Sequence, residues 1–242
     1  MTRAVTHPVA DPVLDLVTDP ALHRADSAAR RAGEGGEVSG GGALPAGRRP
    51  QVLLVLAHPR SDSLTAQVAA RAADRFAAAG YRVDLLDLHA EGFDPRMTPE
   101  DEPDWQHRDK TYSADVRAHM RRIEAADVIV PVFPLWWFGP PAVLKGWIDR
   151  VWNYGFAYGR SRPGLAAKRM LWLGLSSYPA AEFAELGWDV TVTRLLKAGI
   201  SEFCGITDAS VVLLHDSLAA GGRVLDETDR AIGALLAPAP VG

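Results

Sequence analysis

Val52-Leu53-Leu54-Val55-Leu56-Ala57, followed at once by His58-Pro59, is the stretch on which the fold turns. A short run with no polar member is what a strand buried on both faces requires, and such strands sit at the centre of parallel sheets. Ser63 to Ala79 then places Leu64, Val68, Ala72 and Phe76 on one face at helical spacing. Ser61 or Ser63 is the candidate N-cap, and Gly80 ends the helix. Tyr81 to Leu86 reads as the next strand. The opening of the chain's ordered part is thus strand, helix, strand.

The same alternation continues outward. Residues 88–112 form a polar loop with three prolines. Ser113 to Ala126 reads as a helix and Val128 to Phe133 as a third strand. Pro140 and Pro141 stand where a helix can begin, because proline is tolerated in a first turn; that helix runs to about Val151. Lys168 to Leu175 is a fourth strand, Phe183 to Leu196 a helix, Ala209 to Leu214 a fifth strand and Asp226 to Leu236 a closing helix. Alternating strands and helices predict an α/β fold, an open five-stranded parallel sheet with helices on both faces. Ligands of such sheets bind beyond the carboxyl ends of the strands, near the point where strand order reverses. Loops 57–65, 134–139 and 175–182 are therefore the expected functional loops.

The chain has 242 residues, 48% of them hydrophobic, enough for one ordinary domain that needs no disulfide or metal staple. Its single cysteine, Cys204, excludes an internal disulfide and a multi-cysteine zinc site, and beside Phe203 it reads as buried filler. A net charge of -4, from 26 basic and 30 acidic side chains, provides no basic field for a phosphate backbone, so nucleic acid is not an expected partner. No stretch reaches the roughly 20 apolar residues of a bilayer span, and no transmembrane segment is expected. The N-terminus lacks the apolar run of a signal peptide, which makes the cytoplasm the expected location. Residues 1–50 differ from the rest. Val13, Leu14, Val17 and Leu22 outline a short amphipathic helix that Pro20 interrupts, and a glycine-rich stretch from Gly33 to Gly42 follows. The expectation is a largely flexible extension over 1–50 and a folded domain over 51–242.

The first functional loop joins a buried strand to a helix N-terminus, where free backbone N–H groups and the helix dipole favour a phosphate. Ser61, Ser63 and Thr65 add hydroxyls, and His58 and Arg60 add charge; Asp62 is expected to point outward. Ordinary capping by serine accounts for the same residues. The second loop, Pro134-Leu135-Trp136-Trp137-Phe138-Gly139-Pro140-Pro141, exposes adjacent tryptophans unless they cover something. A flat aromatic ligand is one such thing, and a crossover or subunit interface is another. Trp147 to Gly159, rich in aromatics, is either a pocket wall or a subunit contact. Lys145, Asp149 and Arg150 read as helix-surface or interface residues. The third loop, Leu175-Ser176-Ser177-Tyr178-Pro179, offers hydroxyls and a phenol. The 88–112 loop, with Phe93, Trp105 and Tyr112, is either a cover for the pocket or a surface excursion.

His58, His89, His107, His119 and His215 are scattered with no metal-binding spacing, so no metal site is expected. No G-x-S-x-G elbow is present. A phosphate loop and an aromatic ledge without an evident proton-transfer pair suit a cofactor that carries the chemistry itself, and hydride transfer through a flavin meets that description.

Three segments carry a family resemblance: Leu56-Ala57-His58-Pro59 with Ser63 and its helix, Ala126 through Val151, and Phe156-Ala157-Tyr158-Gly159. Phe203-Cys204-Gly205-Ile206 adds to them. On these the chain resembles the flavodoxin-like NAD(P)H:quinone oxidoreductases, from about Val52 to Leu236. The resemblance implies a flavodoxin-like fold, bound FAD or FMN, and ping-pong hydride transfer from NADH or NADPH to a quinone-like acceptor. It also implies a homodimer with the flavin near the subunit boundary. It assigns His58, Ser63, Leu64 and Thr65 to the phosphate end of the cofactor, where the loop's own hydroxyls add Ser61, and Pro134, Leu135, Trp136, Trp137 and Phe138 to the isoalloxazine. Ser176 and Ser177 join them as cofactor-binding residues. Trp137, Phe138, Tyr158 and Tyr178 become the walls of the substrate pocket, with Tyr178 in the catalytic position.

One stretch departs from the family pattern. Ser176-Ser177-Tyr178-Pro179 stands where many members have two threonines and two glycines, so proline removes a donor and the close approach of glycine is lost. No histidine matches the one that mammalian members of this family have just beyond this loop, and Trp188 lies in the helical region that follows. Other readings keep the flavin but change the acceptor to a nitro or azo aromatic or a biosynthetic intermediate. A further class is a flavin-bound regulatory subunit of an ion-efflux system, and a last one is a protein that has lost its flavin.

Overall fold

The computed structural model describes residues 48–160, 163–219 and 221–237. The flexible extension expected over residues 1–50 lies, up to residue 47, outside the described residues. Five strands, β1 (Gln51–Leu56), β2 (Arg82–Asp87), β3 (Val128–Pro134), β4 (Arg169–Leu175) and β5 (Asp208–Leu214), form one parallel sheet in the order β2-β1-β3-β4-β5. This is the expected flavodoxin-like open sheet. The order reverses beside β1, since the chain goes from β1 outward to β2 and returns to β3 on the other side.

Burial explains why the central run is apolar. All six residues of β1 are buried, and so are Val128 to Phe133 of β3. Each strand has helices on both faces, so alternation has no solvent side to serve. One face packs Leu53, Val55, Ile129, Phe133 and Trp172 against α2 (Ala114–Ala125) and α3 (Ala142–Val151), with Val116, Ile123, Leu144 and Trp147 as the helix contributions. The other packs Leu54, Val130 and Leu173 against α1 (Leu64–Ala78) and α6 (Gly221–Leu236), through Val68, Ala72, Phe76, Val224 and Ile232. At about 1.5–3 kcal/mol for each large apolar side chain removed from water, these two layers dominate the stability.

Caps set the helix limits as the sequence suggests. Ser63 caps α1 by accepting from the Ala66 N–H at 3.1 Å, and Ser113 caps α2 by accepting from Val116 at 3.3 Å. Pro141 precedes α3. The single helix expected over Phe183 to Leu196 is instead broken. It is α4 (Ala180–Glu185), a turn at Gly187 with φ 72°, α5 (Trp188–Arg194) and a π-helical stretch Leu195–Glu202. Gly187 provides the left-handed residue that ends α4, and Ser201 anchors the wider π turns. The Ser201 hydroxyl accepts from the Trp172 indole at 2.9 Å and donates to the Leu196 carbonyl at 2.8 Å. The closing helix α6 begins at Gly221, five residues before the expected Asp226.

Two further expectations change. Lys145 and Asp149 do pair on the surface of α3 at 2.6 Å. Arg150, however, is buried, paired with the fully buried Asp101 at 2.6 Å and donating to the Asp94 carbonyl. It clips the 88–112 loop to α3. That loop is no loose excursion: Phe93 and Tyr112 are buried, and the Tyr112 hydroxyl donates to the Tyr154 carbonyl at 2.7 Å. Cys204 is buried as expected, and burial pushes its thiol up to about 12, so it stays protonated.

Among the described residues no helix is long and apolar enough to cross a membrane, and no three His, Cys, Asp or Glu side chains stand together as metal ligands.

Candidate active site

The three expected loops all leave the carboxyl edge of the sheet. Ladder bonds carry each strand to its brink: Ala57 N–H to Val132 O, Leu135 N–H to Leu175 O and Ser176 N–H to Leu214 O. Beyond that edge a cleft of about 350 Å³ opens between the second and third loops. Its lining is Leu135, Trp136, Trp137, Phe138, Ser176, Ser177, Tyr178 and Phe183. Seven of these were expected from sequence; Phe183, contributed by α4, was not.

The second loop is a tight turn. Trp136 and Gly139 exchange backbone hydrogen bonds at 3.1 and 3.2 Å, and the two residues between them, Trp137 and Phe138, have φ of 52° and 60°. Such turns normally take glycine or asparagine at these positions. A left-handed conformation costs about 1–2 kcal/mol for each L-residue, so this one requires compensation. Phe138 finds it by packing. Its ring stacks on Trp188 with centroids 4.0 Å apart and planes 9° from parallel, and meets Tyr178 and Phe183 at 5.9 and 6.1 Å. An aromatic stack contributes about 0.5–1.5 kcal/mol beyond the area it buries, comparable to the strain at one residue. Trp137 does not pack at all: it is 97% exposed at the mouth of the cleft. Trp136 turns the other way, 6.0 Å from the His58 ring, and so links the second loop to the first.

In the first loop Asp62 points outward, as expected, and holds Arg60 in a solvent-exposed pair at 3.0 Å. That pair takes the Arg60 charge away from the loop's interior. The His58 Nδ1 accepts from the Arg60 N–H at 3.1 Å, which orders the turn before the helix. Ser61 is exposed, Leu64 half-buried and Thr65 buried. Ser63 caps α1, so the ordinary reading of that serine holds. The cap leaves the amides of Leu64 and Thr65, at the first two helical positions, without an intrahelical acceptor. These amides at a helix N-terminus, with the Ser61 and Ser63 hydroxyls nearby, are a donor set that fits a phosphate.

The third loop is more closed than its hydroxyls suggest. The Tyr178 N–H donates to the Ser176 hydroxyl at 3.2 Å, and Pro179 has no N–H. The Tyr178 carbonyl accepts from the Asp216 N–H at 3.1 Å and lies 3.2 Å from His215 Nδ1. The Ser176 carbonyl accepts from Ser217 at 3.0 Å. The loop is thus laced to the β5–α6 connection, and Ser177, exposed at the cleft, takes no part in that lacing. Tyr178 itself lines the cleft, half-buried between Phe138 and Phe183.

Tyr158 is the expected pocket residue that the structure does not bring there. It packs instead against Trp105 at 6.1 Å, Tyr154 at 5.8 Å and Phe203 at 5.4 Å, away from the cleft lining. Burial raises its phenol well above the ordinary tyrosine value, so it does not ionise near neutrality. The turn that carries it, closed by the Gly155 N–H to Tyr158 O bond at 2.8 Å, aims the ring at the 88–112 loop. Two residues that sequence reasoning did not assign stand behind the cleft. His215 meets Phe183 edge to face at 5.2 Å, and Trp188 backs Phe138. Neither is signalled by local spacing, because both reach the site only through the break at Gly187 and the end of β5.

Comparison with known proteins supplies the frame for this geometry. A family model described as the flavodoxin-like fold matches residues 50–236. The chain is 41% identical over 175 residues to the uncharacterized NAD(P)H oxidoreductase YcaK of Escherichia coli (strain K12), covering 72% of this chain and 88% of that protein. The chain belongs to the flavodoxin-like NAD(P)H oxidoreductase family. Within it, NAD(P)H dehydrogenase [quinone] 1 of Rattus norvegicus is 34% identical over 123 residues, 45% of either chain. Among solved structures, the general stress protein 14 of Treponema denticola in complex with FMN superposes with a TM-score of 0.57. It is 25% identical and covers 77% of this chain and 98% of that one. In this chain the cleft lies at the carboxyl edge of β3 and β4, and the helix N-terminus that follows β1 opens on the same edge of the sheet.

Proposed function

We propose that the protein is a flavin-dependent NAD(P)H oxidoreductase that delivers two electrons to a quinone-like acceptor by a ping-pong sequence. The observation that carries this reading is the pairing of an aromatic-walled cleft with a phosphate-ready helix N-terminus on the same edge of the sheet. The names of the Escherichia coli and rat relatives, and the FMN held by the Treponema denticola protein, support it.

The residues present fit the cofactor. The amides of Leu64 and Thr65 and the hydroxyls of Ser61 and Ser63 would hold its phosphate end, with His58 beside them. Pro134 to Phe138 would hold its ring system; Leu135 and Trp136 already donate to the Leu175 and Gly139 carbonyls, so the Trp137 and Phe138 N–H groups would be the turn's donors to its polar edge. Ser177 supplies the remaining donors, because Tyr178 N–H is already engaged and Pro179 has none. A bound flavin supplies two-electron hydride chemistry between reduced nicotinamide and acceptor. Phe138 and Tyr178 would shield one face of a bound ring from water, and the exposed Trp137 would offer a flat surface to a planar ring at the mouth. One cleft serves donor and acceptor in turn, which is why the order is ping-pong. Assembly as a homodimer is part of the same proposal.

The test is the absorption spectrum of the purified protein, the mass of any released cofactor, and bleaching by NADH or NADPH without oxygen. Release of FAD or FMN, with bleaching that a quinone reverses, is the expected result. A colourless protein that takes up neither flavin and oxidises neither nicotinamide overturns the proposal.

A further inference from the structure

Phe138 keeps a left-handed backbone without the help of glycine, and one ring alone meets it face to face. That ring is Trp188; the neighbouring Tyr178 and Phe183 rings are tilted from it by 42° and 39°. Trp188 begins α5, where Gly187 turns the chain out of α4, and it does not line the cleft itself. Apart from this packing, the Trp136–Gly139 turn is closed by two reciprocal backbone bonds. A strained backbone persists only where its surroundings over-determine it.

We propose that Trp188 is a positioning residue for the oxidoreductase reaction. By stacking on Phe138 it locks the Trp136–Gly139 turn, and so fixes the backbone of Trp137 and Phe138, the two left-handed residues between the turn's closing bonds, at the mouth of the cleft. The proposal rests on reading that cleft as the flavin and acceptor site. A flat ring at position 188 satisfies the stack, whereas a branched aliphatic side chain fills space without offering a parallel face. Trp188→Phe therefore preserves the lock and Trp188→Leu releases it. Because Trp188 acts through Phe138 and not on the reacting atoms, its loss raises the flavin dissociation constant and the acceptor KM more than it lowers kcat.

Hydrogen exchange at the Trp136 and Gly139 amides tests the lock without any flavin. In Trp188→Leu these two amides are expected to exchange about ten-fold faster, the upper end of what one aromatic stack carries, while β3 and β4 amides keep their rates. Trp188→Phe stays close to the wild type. Titration of the apoprotein with FMN and with FAD is then expected to show affinity about ten-fold weaker in Trp188→Leu and recovered in Trp188→Phe. Should Trp188→Leu fail to fold, Trp188→Met provides the second non-aromatic variant. Unchanged exchange at the two amides overturns the proposal whatever the titration gives. Faster exchange with unchanged flavin affinity overturns the positioning role. A wild-type protein that binds neither flavin overturns the cofactor reading of the cleft, and is told apart from failure of the lock because the exchange comparison needs no cofactor.

Discussion

Arg150 and Asp101 form an ion pair at 2.6 Å in which the two side chains retain only 6% and 0% of their exposure. Asp101 also accepts from the Ser113 N–H and hydroxyl at 2.9 and 3.0 Å and from the Thr98 hydroxyl at 3.2 Å. Its own carbonyl accepts from the Asn153 amide at 2.6 Å. One carboxylate therefore joins the start of α2, the end of α3 and the loop between β2 and α2.

Removing one partner of that pair leaves a buried charge without compensation. Asp101→Ala or Arg150→Ala is expected to lower stability by about 3–5 kcal/mol, measured by denaturant unfolding. Burial pushes the Asp101 carboxyl upward, but Arg150 and the two Ser113 donors outweigh it and hold the group below its ordinary value of 3.8. A carboxyl with a depressed folded-state value stabilises above its unfolded value and loses that contribution as pH falls through the folded one. The wild type should thus lose stability below about pH 4, and Asp101→Asn should flatten that limb.

His119 provides a second pH signature. It is buried against Phe93, accepts from the Trp147 indole at 3.4 Å, and lies 3.8 Å from Asp115. Burial lowers it from 6.5, with Asp115 opposing in part. The unfolded chain then binds the proton more readily than the folded one. Stability is full above 6.5 and falls as pH drops from there toward the lowered folded value. His119→Gln should remove this slope in melting temperatures taken across that window, leaving the more acidic limb of Asp101.

Ser63 has a cap role and a proposed phosphate role, which can be separated. Ser63→Ala should cost about 0.5–2 kcal/mol, whereas Ser63→Gly should cost only a few tenths, because glycine is tolerated at an N-cap. Both remove the hydroxyl. Equal weakening of FMN or FAD binding in the two variants, against unequal melting temperatures, is the expected pattern. Weakening that tracks stability would assign the serine to capping alone.

Gly146 lets α3 touch the 88–112 loop. A Cβ there would collide with the backbone of Pro95, which cannot yield as a flexible side-chain tip can. Gly146→Ala should destabilise by about 1–3 kcal/mol, although alanine is the better helix former by about 1 kcal/mol. A gain in melting temperature would show that the loop does not sit on α3.

The sheet was legible because its strands are buried on both faces: Val52 to Leu56 and Val128 to Phe133 announce themselves by hydrophobicity alone. Helix starts were legible where serine caps, at Ser63 and Ser113. The three loops followed from topology, and seven of the eight cleft residues lie in them. What was hidden depends on tertiary contact. The break at Gly187 follows a pattern that reads as one helix. Phe183, Trp188 and His215 reach the cleft only once that break and the end of β5 are in place. Arg150 was misplaced for a related reason: residue type and spacing on α3 do not disclose that the 88–112 loop folds back over it.

Long connections of this kind are where protein engineers usually place tags, fusion partners or new chain termini. Here the connection is tethered by Arg150 to the Asp94 carbonyl and Asp101, by Tyr112 to Tyr154, and by Arg160 to Asp109, with Trp105 packed on Tyr154. An insertion between residues 94 and 112 would behave like a cut through the body of the protein, despite its surface address.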